Sequence, residues 1–143
     1  MNYVRTTLVI VLIGILAACG ATQAATKSSR VAVQVKLSEM KIESSLTTFA
    51  VGVPYRFTVT NVGNLPHEMM LMPPSMNGVA MSSMPMEQLH TMALTHIHDS
   101  DLAPGATWVV DYTFTKQNTG RLELACYLPG HYAAGMYQKI IVE

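Results

Sequence analysis

Strict period-two alternation constrains this chain more than any other feature. From Val31 to Leu37 apolar residues hold every odd position, with Gln34 and Lys36 between them. Such a segment is a strand that buries one face. Tyr55–Val62 (YRFTVTNV), introduced by Pro54, alternates again and is rich in β-branched and aromatic residues. Turn chemistry follows at Asn61–Pro66 and again at Ala103–Ala106. His67–Met72, Thr107–Thr115 (TWVVDYTFT), Arg121–Cys126 and Tyr137–Val142 (YQKIIV) read as further strands, with Leu122, Leu124 and Cys126 sharing a face. Short strands parted by Gly, Pro and Asn turns predict an all-β fold, a Greek-key β-sandwich rather than a βαβ arrangement.

Residues 73–100 are too many for an ordinary hairpin loop. Within them Ser83-Met84-Pro85-Met86-Glu87 offers an N-cap, an early Pro and an acid in the first turn. That pattern predicts a short helix running from Ser83 to about Thr95.

The N-terminus carries an address. Met1–Arg5 holds one positive charge, and Thr6–Ala18 is an apolar run too short to span a bilayer but suited to the core of an export signal. Leu16-Ala17-Ala18-Cys19 resembles the lipobox of bacterial lipoproteins. The resemblance implies that residues 1–18 are removed, that Cys19 is lipidated, and that the protein is a membrane-anchored lipoprotein on the periplasmic or other extracytoplasmic face. The alternative is an ordinary signal peptide cleaved near Ala25. Residues 19–30, small and polar without apolar periodicity, form a flexible tether. One domain, residues 31–143, follows.

Charge excludes one class of function. The chain has 143 residues with 9 basic and 9 acidic side chains, so its net charge is zero. Without a Lys/Arg stripe it has no means of displacing counterions from nucleic acid. Cysteine usage narrows the rest. Once Cys19 is lipidated or cleaved away, Cys126 stands alone in an oxidising compartment without an intramolecular disulfide partner. Such a thiol is a liability unless it is buried or holds a metal.

Cys126 opens the segment Cys-Tyr-Leu-Pro-Gly-His131-Tyr-Ala-Ala-Gly-Met136, a C-x4-H-x4-M arrangement between two strands. A thiolate, an imidazole and a thioether are the ligand types that suit copper cycling between Cu(I) and Cu(II). A trigonal His₂Cys site with a weak axial Met needs one more His, and His67, after the Asn61–Pro66 turn, is the candidate. Zinc is the competing ion because its ligand preferences overlap. Taken together, the loop and its place before a terminal strand resemble the blue-copper proteins (cupredoxins). The spacing is most similar to that of rusticyanin and auracyanin, and to small periplasmic cupredoxins of copper tolerance. The resemblance implies that Cys126 supplies the short thiolate bond, His67 and His131 the equatorial nitrogens, and Met136 the axial sulfur of one type 1 copper. Many cupredoxins follow the first His with an Asn that braces the Cys-bearing loop; here Glu68 stands in that place.

Eight of the eleven methionines lie between positions 69 and 92, and His90, His96 and His98 sit among or just after them. Thioethers favour Cu(I). On a helix, Met86 and His90, and likewise Met92 and His96, would stand one turn apart. Met86, His90, Met92, His96 and His98 are therefore candidates for an auxiliary Cu(I) site; the alternative is a Met-rich packing lid or docking surface.

These features suggest an exported, tethered, monomeric one-electron carrier with a redox-protein partner. The alternative is an envelope copper-tolerance protein that sequesters Cu(I) or relays it to a copper-transfer partner. No enzymatic role is expected. His67-Glu68 lacks the second His of a zincin motif, and His96-x-His98 is the only His-x-His pair.

Overall fold

The computed structural model describes residues 29–73, 81 and 83–143. The signal segment, Cys19 and most of the tether lie outside them. Strands β1 (Val31–Ser38), β2 (Lys41–Ser44), β4 (Pro54–Asn61) and β7 (Thr107–Thr113) form one sheet in the order β2-β1-β4-β7. A second sheet contains β3 (Thr48–Phe49), β5 (Met69–Met72), β6 (Thr95–Ile97), β8 (Gly120–Ala125) and β9 (Tyr137–Val142), in the order β3-β9-β8-β5-β6. β1 pairs with β4 and β3 with β9 in parallel; the other pairings are antiparallel. Both sheets are therefore mixed, and they form the two layers of a cupredoxin-like β-sandwich.

Alternation decides what each strand buries. Val33, Val35 and Leu37 of β1 point inward beside Tyr55, Phe57 and Val59 of β4, and they meet Leu122, Leu124, Ile140 and Val142 of the second sheet. Each such side chain contributes on the order of 1.5–3 kcal/mol by leaving water. Val31, at the start of β1, is exposed, so the buried face begins one repeat later than the sequence pattern suggests. Phe49 packs among aromatic rings, with centroids 4.9 Å from Tyr55, 5.6 Å from Phe57 and 5.1 Å from Phe114.

β5 is buried on both faces. Met69 and Leu71 join the sandwich core. Met70 and Met72 face outward into a second apolar cluster with Met81, Leu89, Ala125, Tyr127 and Tyr132. The short helix α1 (Met86–Met92) covers that cluster, and Met84, Met86 and Met92 pack against it. Met81, Met84, Met86 and Met92 thus belong to a lid over the outer face of the second sheet.

The helix is shorter than expected at both ends. Pro85, not Ser83, stands at its N-cap, without a side-chain capping bond. It stops at Met92 because Ala93 turns extended and the Leu94 N–H donates to the Leu71 carbonyl at 2.8 Å. Thr95–Ile97 then adds a strand to the edge of β5, where ladder bonds and burial of Ile97 outweigh continuing the helix. Met92 and His96 are consequently not a helical pair.

Candidate metal centre

The site is assembled at one end of the sandwich, where two strands end. β4 finishes at Asn61, whose buried side chain organises the next turn. Its Nδ2 donates to the carbonyls of Leu65 and Leu102, each at 2.7 Å, and its Oδ1 accepts the Gly63 N–H at 2.9 Å. The Leu102 carbonyl also accepts the His67 N–H at 3.3 Å. A Cβ at Gly63 would come within 2.9 Å of the Glu39 carboxylate, which accepts the Asn64 N–H, so a larger residue there would push that side chain aside. These bonds deliver His67, fully buried, to the end of the second sheet.

Cys126 follows directly on β8, and its loop closes on itself. The Cys126 N–H donates to the Met136 carbonyl at 3.1 Å, and the Met136 N–H to the His131 carbonyl at 3.0 Å. Gly130 and Gly135 adopt φ of +84° and +99°, which only glycine takes without strain. The loop thereby sets Met136 across from Cys126, both completely buried and both in the sandwich core.

One donor atom each from His67, Cys126 and His131 lies within 4.8 Å of the other two. His131 Nδ1 stands 3.3 Å from Cys126 Sγ and 3.4 Å from His67 Nδ1. The nitrogen pair is longer than an ordinary hydrogen bond. Two nitrogens about 2.0 Å from a shared ion and about 120° apart would be separated by about 3.5 Å, close to that distance. Burial pushes the Cys126 thiol up to about 11. Burial also lowers both imidazoles, His67 further by the neighbouring His131. Neutral imidazoles are ready ligands, whereas the thiol waits for a cation to displace its proton. Soft sulfur and borderline nitrogen in a dry pocket fit copper, and this His/Cys/His cluster is consistent with a type 1 site. His67 Nε2 is buried without a hydrogen-bond partner among the described residues, so its ring is held by packing and its backbone rather than by an outer bond.

Glu68 braces the loop. It is buried, and its Oε1 accepts the Tyr127 N–H at 2.8 Å, one residue beyond Cys126. The bond that the sequence left without its usual Asn is therefore made by a carboxylate. Burial raises the Glu68 carboxyl above its ordinary range, against the pull of the Tyr127 N–H and of His90. Tyr127 and Tyr132 stack at 4.7 Å and donate their hydroxyls to the two oxygens of Glu123, which ties the loop to β8.

Of the five residues expected at an auxiliary site, the structure gathers His90, His96 and His98 into a second cluster, one donor from each within 4.8 Å of the others. Met86 and Met92 pack against the outer apolar cluster. His96 is lowered by burial and then by His90 and His98.

The profile of the plastocyanin/azurin family of copper-binding proteins matches residues 24–143. The chain is similar to the copper-resistant cuproprotein CopI of Rubrivivax gelatinosus, at 31% identity over 82% of this chain and 69% of that protein. It is similar as well to the protein of the same name from Pseudomonas aeruginosa, at 31% identity over 88% of this chain and 83% of that one. Among solved structures it resembles reduced auracyanin from Roseiflexus castenholzii, with a TM-score of 0.62 and 17% identity over 81% of this chain and 98% of that one.

Proposed function

The chain belongs to the plastocyanin/azurin family of copper-binding proteins, and from that premise we propose that it is an exported, lipid-tethered copper-tolerance protein of the envelope. One observation carries the reading: a buried thiol and two imidazoles brought within 4.8 Å of one another, with Met136 beside them in the core. His67, Cys126 and His131 would hold a copper ion, and Met136 would offer it a further, thioether sulfur. When bound, copper supplies a one-electron Cu(II)/Cu(I) couple. The chain contributes a water-excluding pocket, a thiolate that favours the reduced ion, and a loop locked by its own backbone bonds so that the donors move little. Both 31%-identical relatives carry copper resistance in their names, which supports tolerance as the purpose of that chemistry.

A second reading, one-electron transfer to a redox partner, rests on the surface around His131. Its ring is partly exposed, and Pro129, Ala133 and Ala134 stand open beside it. A small apolar rim of this kind suits brief redox encounters. The two readings share the metal site and differ in what depends on it.

Copper titration should produce an intense thiolate-to-copper absorption band that saturates at one equivalent, and Cys126→Ser should abolish it. A wild-type protein without the band would overturn the site itself. Cells lacking the protein should fail at copper concentrations the parent survives, with rescue by the wild type and not by Cys126→Ser. Normal copper tolerance alongside an electron-transport defect would favour the second reading.

A further inference from the structure

His96 lies in β6 and His98 one residue beyond its end, and their rings meet, with Nε2 atoms 3.1 Å apart. In the pairing of β6 with β5, His96 lies opposite Met70, and Met70 belongs to the outer cluster rather than the sandwich core. α1 lies over that face and brings in His90. The three rings form one group: His90 stacks on His96 at 4.6 Å, and His98 meets both edge-on at 4.7 and 4.6 Å.

Hydrogen bonding does not account for the group. His96 Nε2 and His98 Nε2 are 3.1 Å apart. One proton can lie between them, but His90 Nε2 is buried without a hydrogen-bond partner among the described residues. The nearest carboxylate oxygen, Glu68 Oε2, stands 3.7 Å from it, beyond hydrogen-bond reach. Two nitrogens bound to one ion at about 2.0–2.1 Å are separated by about 2.9–3.4 Å, which covers the His96–His98 distance. A shared cation would take up all three lone pairs.

We propose that His90, His96 and His98 form a second metal site for a divalent first-row ion, Cu(II) foremost, with Glu68 as the carboxylate that joins it to the Cys126 loop. An all-imidazole set is borderline rather than soft, and among divalent ions copper binds such sets most tightly. This differs from a thioether Cu(I) site. Glu68 faces both ways: Oε1 holds the Tyr127 N–H and Oε2 faces His90. His98 is exposed, so an ion can enter from solvent. The site stands independently of copper at Cys126; only its connection through Glu68 rests on the function proposed above.

The test is Cu(II) titration of the full apo chain, read by electron paramagnetic resonance and visible absorption. Two equivalents are expected: one with the thiolate band and a second with a nitrogen-only signal. The double change His96→Ala and His98→Ala should remove the second and leave the band. Glu68→Gln, which keeps an oxygen for Tyr127 but loses the charge, should weaken the second equivalent by about 10–100-fold. A wild type that binds one equivalent, or a double variant that still binds two, overturns the second site. An unchanged second affinity in Glu68→Gln overturns the part given to Glu68. Absence of the thiolate band with the nitrogen-only signal intact would count against the Cys126 site alone.

Discussion

At the scale of single residues, chemistry and burial pull on the same side chains. Met136 is fully buried and held opposite Cys126 by backbone bonds on both sides. Replacing it with Leu conserves volume, so stability should change by less than about 1.5 kcal/mol. Cu(II) needs an additional donor more than Cu(I) does, so without the Met136 sulfur a bound copper would lose more support in its oxidised form, and the reduction potential should rise. Voltammetry of copper-loaded wild type and variant checks this; equal potentials would mean that Met136 packs without ligating. That one loop carries Cys126, His131 and Met136 at fixed spacing was legible in the sequence. The work of Glu68 was not. Its position after His67 marked it as a departure, but only the fold shows that its longer side chain reaches the Tyr127 N–H and leaves a second oxygen facing His90.

At the scale of elements, long alternating strands were legible and short ones were not. β2 and β3 expose alternate residues around Ile42 and Phe49 alone, too little for a period to register. β6 was concealed for a different reason. Thr95-His96-Ile97 follows a helical segment without a break in composition, and only the open edge of β5 turns it into a strand. The lid of α1 over the outer cluster carries a prediction of its own. Leu89, the buried residue of α1, anchors the lid against Met70 and Met72, and Leu89→Ala should cost about 2–5 kcal/mol in local docking. The Cys126 loop closes through its own backbone bonds, and its Cys126 and Met136 pack in the other core, while its Tyr127 and Tyr132 meet the lid. The thiolate-to-copper band should therefore survive, while amide hydrogen exchange accelerates across residues 86–97. Loss of the band in this variant would show the lid to be integral to the metal loop.

At the scale of the whole molecule, the buried thiol links folding, pH and metal. Cys126 is completely buried, and its thiol ionises near pH 11 against an ordinary value of 9.0. In the unfolded chain the thiol gives up its proton first. Between about pH 9 and pH 11 the unfolded state thus binds fewer protons, and stability of the metal-free protein falls as pH rises. The contribution is fully present below pH 9, and about 2–3 kcal/mol is lost across the window. Tyr127 and Tyr132, both raised by burial and by Glu123, drive the same trend at higher pH, so the Cys126 share needs a reference. Denaturant unfolding of metal-free wild type and Cys126→Ala supplies it: the wild type should lose that much more stability than the variant between pH 8 and 11. Copper removes the Cys126 share of this dependence, because a bound thiolate has already surrendered its proton. The copper-loaded wild type should therefore decline less through this window than the metal-free protein, by that share. Parallel declines with and without copper would mean that the thiol is not where the metal binds.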